Sequence, residues 1–426
     1  MKLLLTHGYF LQDDPKEREI MKPYPPLGVL YLSSHLRSKG FAVDIYDSTF
    51  GSKAELFGIL DDGPAGTLGV YGTLMTRATV LEIVARARQA GWRVVLGGPE
   101  PANYADEYLS AGADVIVAGE GELAVENLLR AEMNPAHFAS ISGIVFRAED
   151  GTVVKTQPAT LIADLDAQPW PDRERIDLTR YLDAWRGRHG KGSVSLITAR
   201  GCPYHCNWCS HSVYGKTHRR RSPAGVANEV EWILDRYQPE MLWLADDVFT
   251  IHHGWLFEYA AEMLRKGLRI PFECITRADR VNPRVAETLA ELGCFRVWIG
   301  SESGSQRILD AMQRGVTAGQ VRDAVRLCKS NGMQTGMFLM WGYDGEEMAD
   351  IEATVEHVKQ CRPDICLTTV SYPIRGTPYY DRVASRLVRI GEWANTTDRD
   401  LRVEGQGSTE FYRHADALIR AALEAV

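Results

Sequence analysis

Short apolar runs alternate with amphipathic stretches twice along this chain, and that repetition restricts the fold more than any other feature. Over about the first 135 residues the runs lie at Lys2–Thr6, Ala42–Tyr46, Thr67–Tyr71, Arg93–Leu96 and Asp114–Val117. Between them apolar residues recur at helical spacing over Leu27–Lys39, Arg77–Ala90, Tyr104–Ala111 and Glu122–Ala131. Gly40 and Gly91 follow two of these segments, as helix C-terminal caps do. Strands separated by helices imply right-handed crossovers and a parallel sheet. Five such units suit a flavodoxin-like, doubly wound α/β domain over residues 1–140.

A less regular stretch with Pro169 and Pro171 reads as a linker over 141–189. The period then resumes. Strands are expected at Val194–Ala199, Met241–Leu244, Pro271–Ile275, Phe295–Gly300, Met333–Met340 and Ile365–Ser371. Helices fall between them, among them Pro223–Tyr237 behind the capping residue Ser222, and Glu346–Gln360. Six βα units over 190–385 give a partial (β/α)6 barrel whose active residues sit at the carboxyl ends of the strands. A short C-terminal helical segment, 386–426, closes the sequence.

The chemistry is concentrated in Arg200-Gly-Cys-Pro-Tyr-His-Cys-Asn-Trp-Cys, at the end of the first strand of the second repeat. Cys202, Cys206 and Cys209 can hold three irons of a 4Fe-4S cluster, whereas electron-transfer clusters take four thiolates. The fourth iron would then be open to a substrate or cosubstrate. Structural zinc wants four closed ligands, with His205 and His211 as the nearby candidates. His205, between two of the cysteines, is poorly placed to close a tetrahedron with them. Three unrelated thiols are the remaining alternative. The other cysteines (Cys274, Cys294, Cys328, Cys361 and Cys366) lie mostly in apolar strands or at helix ends, where free cysteine packs as a small hydrophobe.

Composition excludes several classes. With 45% hydrophobic and 24% charged residues the chain is too apolar for disorder. No stretch approaches the roughly 20 apolar residues of a membrane span, and the start, Met1-Lys-Leu-Leu-Leu-Thr-His-Gly, is too short for a signal peptide. A formal net charge of −8 argues against a nucleic-acid substrate. The one basic run, Arg219-Arg220-Arg221, reads as a solvated loop or a phosphate or carboxylate contact. Eight cysteines without a secreted-domain pattern point to a reducing cytoplasm.

Cys202-x3-Cys206-x2-Cys209 at a strand end resembles the signature of the radical S-adenosylmethionine (SAM) superfamily. The resemblance implies that SAM chelates the open iron through its amino and carboxylate groups and is cleaved reductively to a 5′-deoxyadenosyl radical. The protein's part is to position the cofactor and exclude side reactions. It also implies an external one-electron reductant of flavodoxin or ferredoxin type. In the first domain, Pro25-Pro26-Leu27-Gly28, Gly97-Gly98-Pro99 and Gly119-Glu120-Gly121-Glu122 resemble the cobalamin-binding domain that precedes many radical SAM cores. Gly97, Gly98, Gly119 and Glu120 are the expected cobalamin contacts, since glycine lets backbone approach a bulky ligand. Asp-x-His-x-x-Gly, which ligates cobalt from below in other cobalamin proteins, is absent, as it is from the family resembled.

Further candidates end the barrel strands. Asp246 and Asp247 follow the second strand, where the family carries a Gly-Gly-Glu-like motif that contacts the methionine amino group. Arg277 follows the third strand and suits the methionine carboxylate, or an ion pair with Asp279. Glu302 follows the fourth and suits two ribose hydroxyls. Trp341 and Tyr372 are candidate adenine or substrate walls, and Glu346 and Glu347 favour a helix N-terminus. Together these imply a radical SAM enzyme that methylates an unactivated carbon of a small molecule through methylcobalamin. Radical cyclisation or ring rearrangement with the same cofactors is the alternative, ahead of a non-catalytic iron-sulfur redox protein. Methylthiolation would need a further cluster in the first domain, and no cysteine precedes Cys202.

Overall fold

The computed structural model describes residues 2–424. The chain forms two units: Met1–Gly192 with Ser210–Arg219 and Gly391–Thr397, and Ser193–Cys209 with Arg220–Ile390 and Asp398–Val426.

The first unit is built on a seven-stranded sheet. Its strands in chain order are Leu3–His7, Val43–Ile45, Thr67–Tyr71, Arg93–Gly97, Val115–Val117, Ile144–Arg147 and Val153–Lys155, and they lie side by side in the order 2-1-3-4-5-6-7. The first five pair in parallel, and their arrangement is the flavodoxin-like one. Leu3–His7 is buried at every position, as a parallel strand covered on both faces must be. Its side chains alternate between two cores: Leu4 packs with Leu68, Val94 and Leu96, while Leu3 and Leu5 pack with Val95, Val115 and Val117.

Residues 141–189 do more than connect. Ile144–Arg147 and Val153–Lys155 form an antiparallel hairpin that extends the sheet from its fifth strand. The turn runs through Asp150-Gly151, a dipeptide typical of hairpins, with Gly151 at φ 85°. Leu178–His189 is a helix that buries Leu178, Tyr181, Leu182 and Trp185. Lys53–Asp62 is a further helix not expected from the sequence, opened by a capping box between Ser52 and Glu55.

The second unit holds six parallel strands, Ser193–Leu196, Met241–Leu244, Phe272–Thr276, Cys294–Glu302, Gln334–Trp341 and Ile365–Val370, each beside its predecessor. That is the partial barrel. Pro223–Tyr237 is a helix with the bounds expected, and the Ser222 hydroxyl accepts from the Gly225 amide at 3.0 Å. Past the sixth strand, Leu387–Arg389 pairs antiparallel with Leu401–Val403, and Thr409–Glu424 is helical. This segment docks on the barrel's last strands: Gln406 Nε2 donates to the carbonyls of Gly342 and Ser371 at 2.8 and 2.9 Å, and Trp341 Nε1 donates to Asp416 at 2.7 Å. Trp341 is therefore core, not a ligand wall. No helix among the described residues is long and apolar enough to cross a membrane.

Candidate functional site

The cysteine loop leaves the first barrel strand and is pinned from several directions. Asn207, buried between the second and third cysteines, makes four bonds. Its amide donates to the Met312 carbonyl at 3.2 Å and its Nδ2 to that of Ala311 at 2.8 Å, while Oδ1 accepts from the Tyr343 hydroxyl at 2.6 Å. Its own carbonyl accepts from the Tyr379 amide at 2.9 Å, and Tyr343 and Tyr379 stack with ring centres 4.7 Å apart. The Cys209 amide closes a turn on the Cys206 carbonyl at 3.3 Å. Barrel residues thus set the geometry of the loop.

The three thiols share one neighbourhood without converging on a point. Among the described residues no three His, Cys, Asp or Glu side chains gather as ligands of one ion. A tetrahedral zinc would draw its sulfurs to within about 4 Å of each other, whereas a cluster gives each sulfur its own iron. Burial raises the Cys202 thiol, with Asp247 and Cys206 adding to it. Cys209 is open at its surface yet crowded by protein elsewhere. Desolvation, then Asp247, the other two thiols and Glu302, push its thiol up to about 12. Cys206 is buried and faces two cations: Arg277 Nη1 lies 3.8 Å and Arg314 Nη1 3.7 Å from its sulfur. A thiolate-bound, negatively charged cluster fits that donor set.

The rim carboxylates divide into two kinds. Asp246 is buried and committed to the fold: its Oδ1 accepts from the amides of Thr198 at 2.6 Å and Ala199 at 3.1 Å, and its Oδ2 from the Thr198 hydroxyl and from Arg220 at 3.2 Å. Asp246 therefore holds the start of the cysteine loop instead of reaching a ligand. Asp247 is exposed and acts on Cys202 and Cys209. Glu302 ends the fourth strand at an irregularity in its pairing, with a φ of 62° that side-chain-bearing residues seldom adopt. Burial raises its pKa against the pull of Arg314, whose Nε is 3.7 Å from Glu302 Oε1, and of Arg277.

Arg277 follows the third strand, but its guanidinium is already engaged. It pairs with Asp279 at 2.9 Å, donates to the carbonyls of Arg314 and Gly315 at 2.9 and 3.4 Å, and lies 3.6 Å over the Tyr204 ring. The ion-pair alternative for this residue is the observed arrangement. Glu347 caps the helix Met348–Cys361, as expected of an acidic N-terminus, and Glu346 does not. Glu346 accepts from the Gly342 amide at 2.5 Å, and burial first of all drives its carboxyl to about 7.

The basic run is not solvated. Each arginine meets its own buried carboxylate: Arg219 with Glu120 at 2.9 Å in the first unit, Arg220 with Asp246 at 3.2 Å and Arg221 with Glu229 in the second. Arg220 also lies 3.6 Å over the Trp255 ring. Of the readings open for the run, a carboxylate contact is the one observed, whereas Asn207 and Arg314 were not singled out by the sequence. Only Asn207 carried a signal, its place inside the cysteine triplet.

In the first unit, the strand ends are shaped by backbone. Gly98 has φ 106°, and a Cβ there would lie 2.3 Å from the Gly72 carbonyl oxygen, so only glycine lets these two loops touch. Gly97 accepts from the Gly72 amide at 2.8 Å, and Gly119 has φ 109°. Glu120 is buried, and its Oε2 accepts from the Ile162 amide at 2.8 Å as well as from Arg219. Like Asp246, it supports a loop. Alongside, Asp47 accepts from His7 Nε2 at 3.1 Å and the Tyr181 hydroxyl at 2.8 Å, while His7 Nδ1 accepts from the Tyr9 amide. Burial opposes the Asp47 charge, yet these donors together hold its pKa below the usual value.

The Radical SAM superfamily matches residues 196–358, and a B12 binding domain matches residues 18–129. A methyltransferase of uncharacterised activity from Pyrococcus horikoshii is 28% identical over 88% of this chain and 82% of its own length. An anaerobic magnesium-protoporphyrin IX monomethyl ester cyclase from Synechocystis is 27% identical over 88% of this chain and 75% of its own. The solved structure of the radical SAM methyltransferase TsrM from Kitasatospora setae, with cobalamin and a [4Fe-4S] cluster, covers 99% of this chain and 88% of its own at TM-score 0.78 and 18% identity. Fold and matched domains together define a radical SAM enzyme. Within that class the chain carries the B12 binding domain as well, and the relatives it resembles include a cyclase and an uncharacterised methyltransferase. Its cofactors are a 4Fe-4S cluster, SAM and cobalamin.

Proposed function

We propose that this chain methylates an unactivated carbon of a small molecule. The observation that carries this reading is the union, in one chain, of a radical SAM domain and a B12 binding domain, together with a methyltransferase relative that matches it over 88% of its length. When bound, the cofactors supply a radical able to remove hydrogen from carbon and a methyl group for the carbon radical left behind. Cys202, Cys206 and Cys209 ligate three irons. Asp247 and Glu302 face the amino and ribose groups of SAM, and Gly97, Gly98 and Gly119 let backbone meet the corrin. Asp246, Arg277 and Glu120 act one step back, holding the loops that carry these contacts.

The cyclase relative, 27% identical, supports a second reading, ring formation or rearrangement with the same cofactors. In either case the electron comes from a low-potential flavodoxin or ferredoxin, in a reducing cytoplasm. The net charge of −8 supports a small-molecule substrate over a nucleic acid. Product balance separates the two. Methylation consumes SAM in two ways, so 5′-deoxyadenosine and S-adenosylhomocysteine accumulate together and labelled methyl reaches cobalamin. Cyclisation gives 5′-deoxyadenosine without S-adenosylhomocysteine, and that result would reject the methylation reading.

A further inference from the structure

Cys206 differs from its two partners in the charge around it. Its sulfur is buried, and two guanidiniums approach within hydrogen-bonding range of it, Arg314 Nη1 at 3.7 Å and Arg277 Nη1 at 3.8 Å. Both arginines are buried, with 7% and 2% of their surface exposed. They are linked in series. Arg277 Nη2 holds the Arg314 carbonyl at 2.9 Å, and Arg314 Nη2 holds the Gly300 carbonyl at 2.9 Å, at the end of the fourth strand. Their counter-charges are unequal. Asp279 bonds Arg277 directly at 2.9 Å, whereas Glu302 stands 3.7 Å from Arg314 Nε, which makes no hydrogen bond. Arg314 thus brings to Cys206 a charge less compensated than that of Arg277.

A cluster held by thiolates is anionic, and reduction adds negative charge. Net charge, hydrogen bonds to the sulfurs and solvent exposure set its potential. Buried cations act on it across a medium that screens them weakly. Resting on the reading of Cys206 as an iron ligand, we propose that Arg314 is a positioning residue whose charge, with that of Arg277 behind it, raises the reduction potential of the cluster. Uptake of one electron from the external low-potential donor is thereby eased, and the same donors fix the Cys206 rotamer.

The test is an anaerobic redox titration of the reconstituted full chain without SAM, in mediators poised with dithionite, following cluster absorbance and the electron paramagnetic resonance signal. Arg314→Gln should lower the midpoint by about 59 mV, a tenfold change in a one-electron equilibrium. Arg314→Lys, which keeps the charge but not the fork, should fall between Arg314→Gln and the wild type. Glu302→Gln removes the opposing carboxylate and should raise the midpoint. Unchanged midpoints in all three, at full iron content, would overturn the proposal. A purely structural role would lower thermal stability and leave the potential alone. If Arg314→Gln takes up no iron, the sign of the Glu302→Gln shift decides. A wild-type chain that takes up no iron refutes the ligand reading itself, before any potential is measured.

Discussion

The two rims solve the same problem with different materials. At the ends of the barrel strands the work is done by buried charge: Asp246 with Arg220, Arg277 with Asp279, and Arg314 aimed at Cys206. At the ends of the first unit's strands the closest approach is made by glycine backbone, with the ion pairs Arg77–Glu100 and Arg219–Glu120 standing behind it. There Gly98 touches Gly72, and the ionisable groups, Asp47 and Glu120, are bonded into the loops behind. On the function proposed above, a cluster and a zwitterionic cofactor would be met by placed charges, and a corrin by the backbone of Gly97, Gly98 and Gly119. The contrast is open to attack at four points.

The largest effect is expected at the ligands. Cys202→Ala, Cys206→Ala or Cys209→Ala should each remove cluster iron and abolish SAM cleavage, read by iron analysis and product chromatography, with cobalamin uptake unaffected. Asp246→Ala comes next. It strands the amides of Thr198 and Ala199 and leaves Arg220 buried without its partner, which should cost about 3–5 kcal/mol in chemical denaturation of the chain. Gly98→Ala forces a Cβ against the Gly72 carbonyl at positive φ, at a cost of roughly 1–3 kcal/mol. Cobalamin affinity should fall in that variant while cluster content stays whole. If both cofactors were lost together, the division of labour between rims would be wrong.

The smallest effect concerns Glu346. Its carboxyl is raised from 4.5 to about 7, chiefly by desolvation. The folded chain therefore holds this proton more tightly than the unfolded one, and stability declines as pH rises from about 4.5 to about 7. Glu346→Gln should remove that decline. At pH 8 the variant should be the more stable by at most about 3 kcal/mol, and near pH 4 the two should coincide in thermal unfolding. A constant difference across the range would show that the carboxyl is not desolvated.

Much of this was legible in the sequence, for a physical reason. Parallel strands buried on both faces are continuous apolar runs, so Thr67–Tyr71 and Met241–Leu244 were located to the residue and the others to within a few positions. The dipeptide Asp150-Gly151 is itself a hairpin signal, but strands of four and three residues in a proline-bearing stretch do not stand out as periodic. Pairing was not legible. Nothing in Arg219-Arg220-Arg221 says that three neighbours find three different buried carboxylates, because those partners lie up to 99 residues away. Asp246 and Glu120 were recognisable as rim residues, yet their oxygens are already bonded to loop amides. A rim position reveals where a side chain sits and leaves open whether it faces a ligand or the loop behind it. Arg314, with no motif around it, emerged only from its distance to Cys206.

Everything proposed for this chain depends on the triplet Cys202, Cys206 and Cys209 making it a source of a hydrogen-abstracting radical. Anaerobic reconstitution with iron and sulfide, reduction, addition of SAM and chromatographic detection of 5′-deoxyadenosine test it directly. The wild-type chain should yield 5′-deoxyadenosine, and the variant with all three cysteines changed to alanine should yield none. An intact, reduced cluster that leaves SAM uncleaved would contradict it.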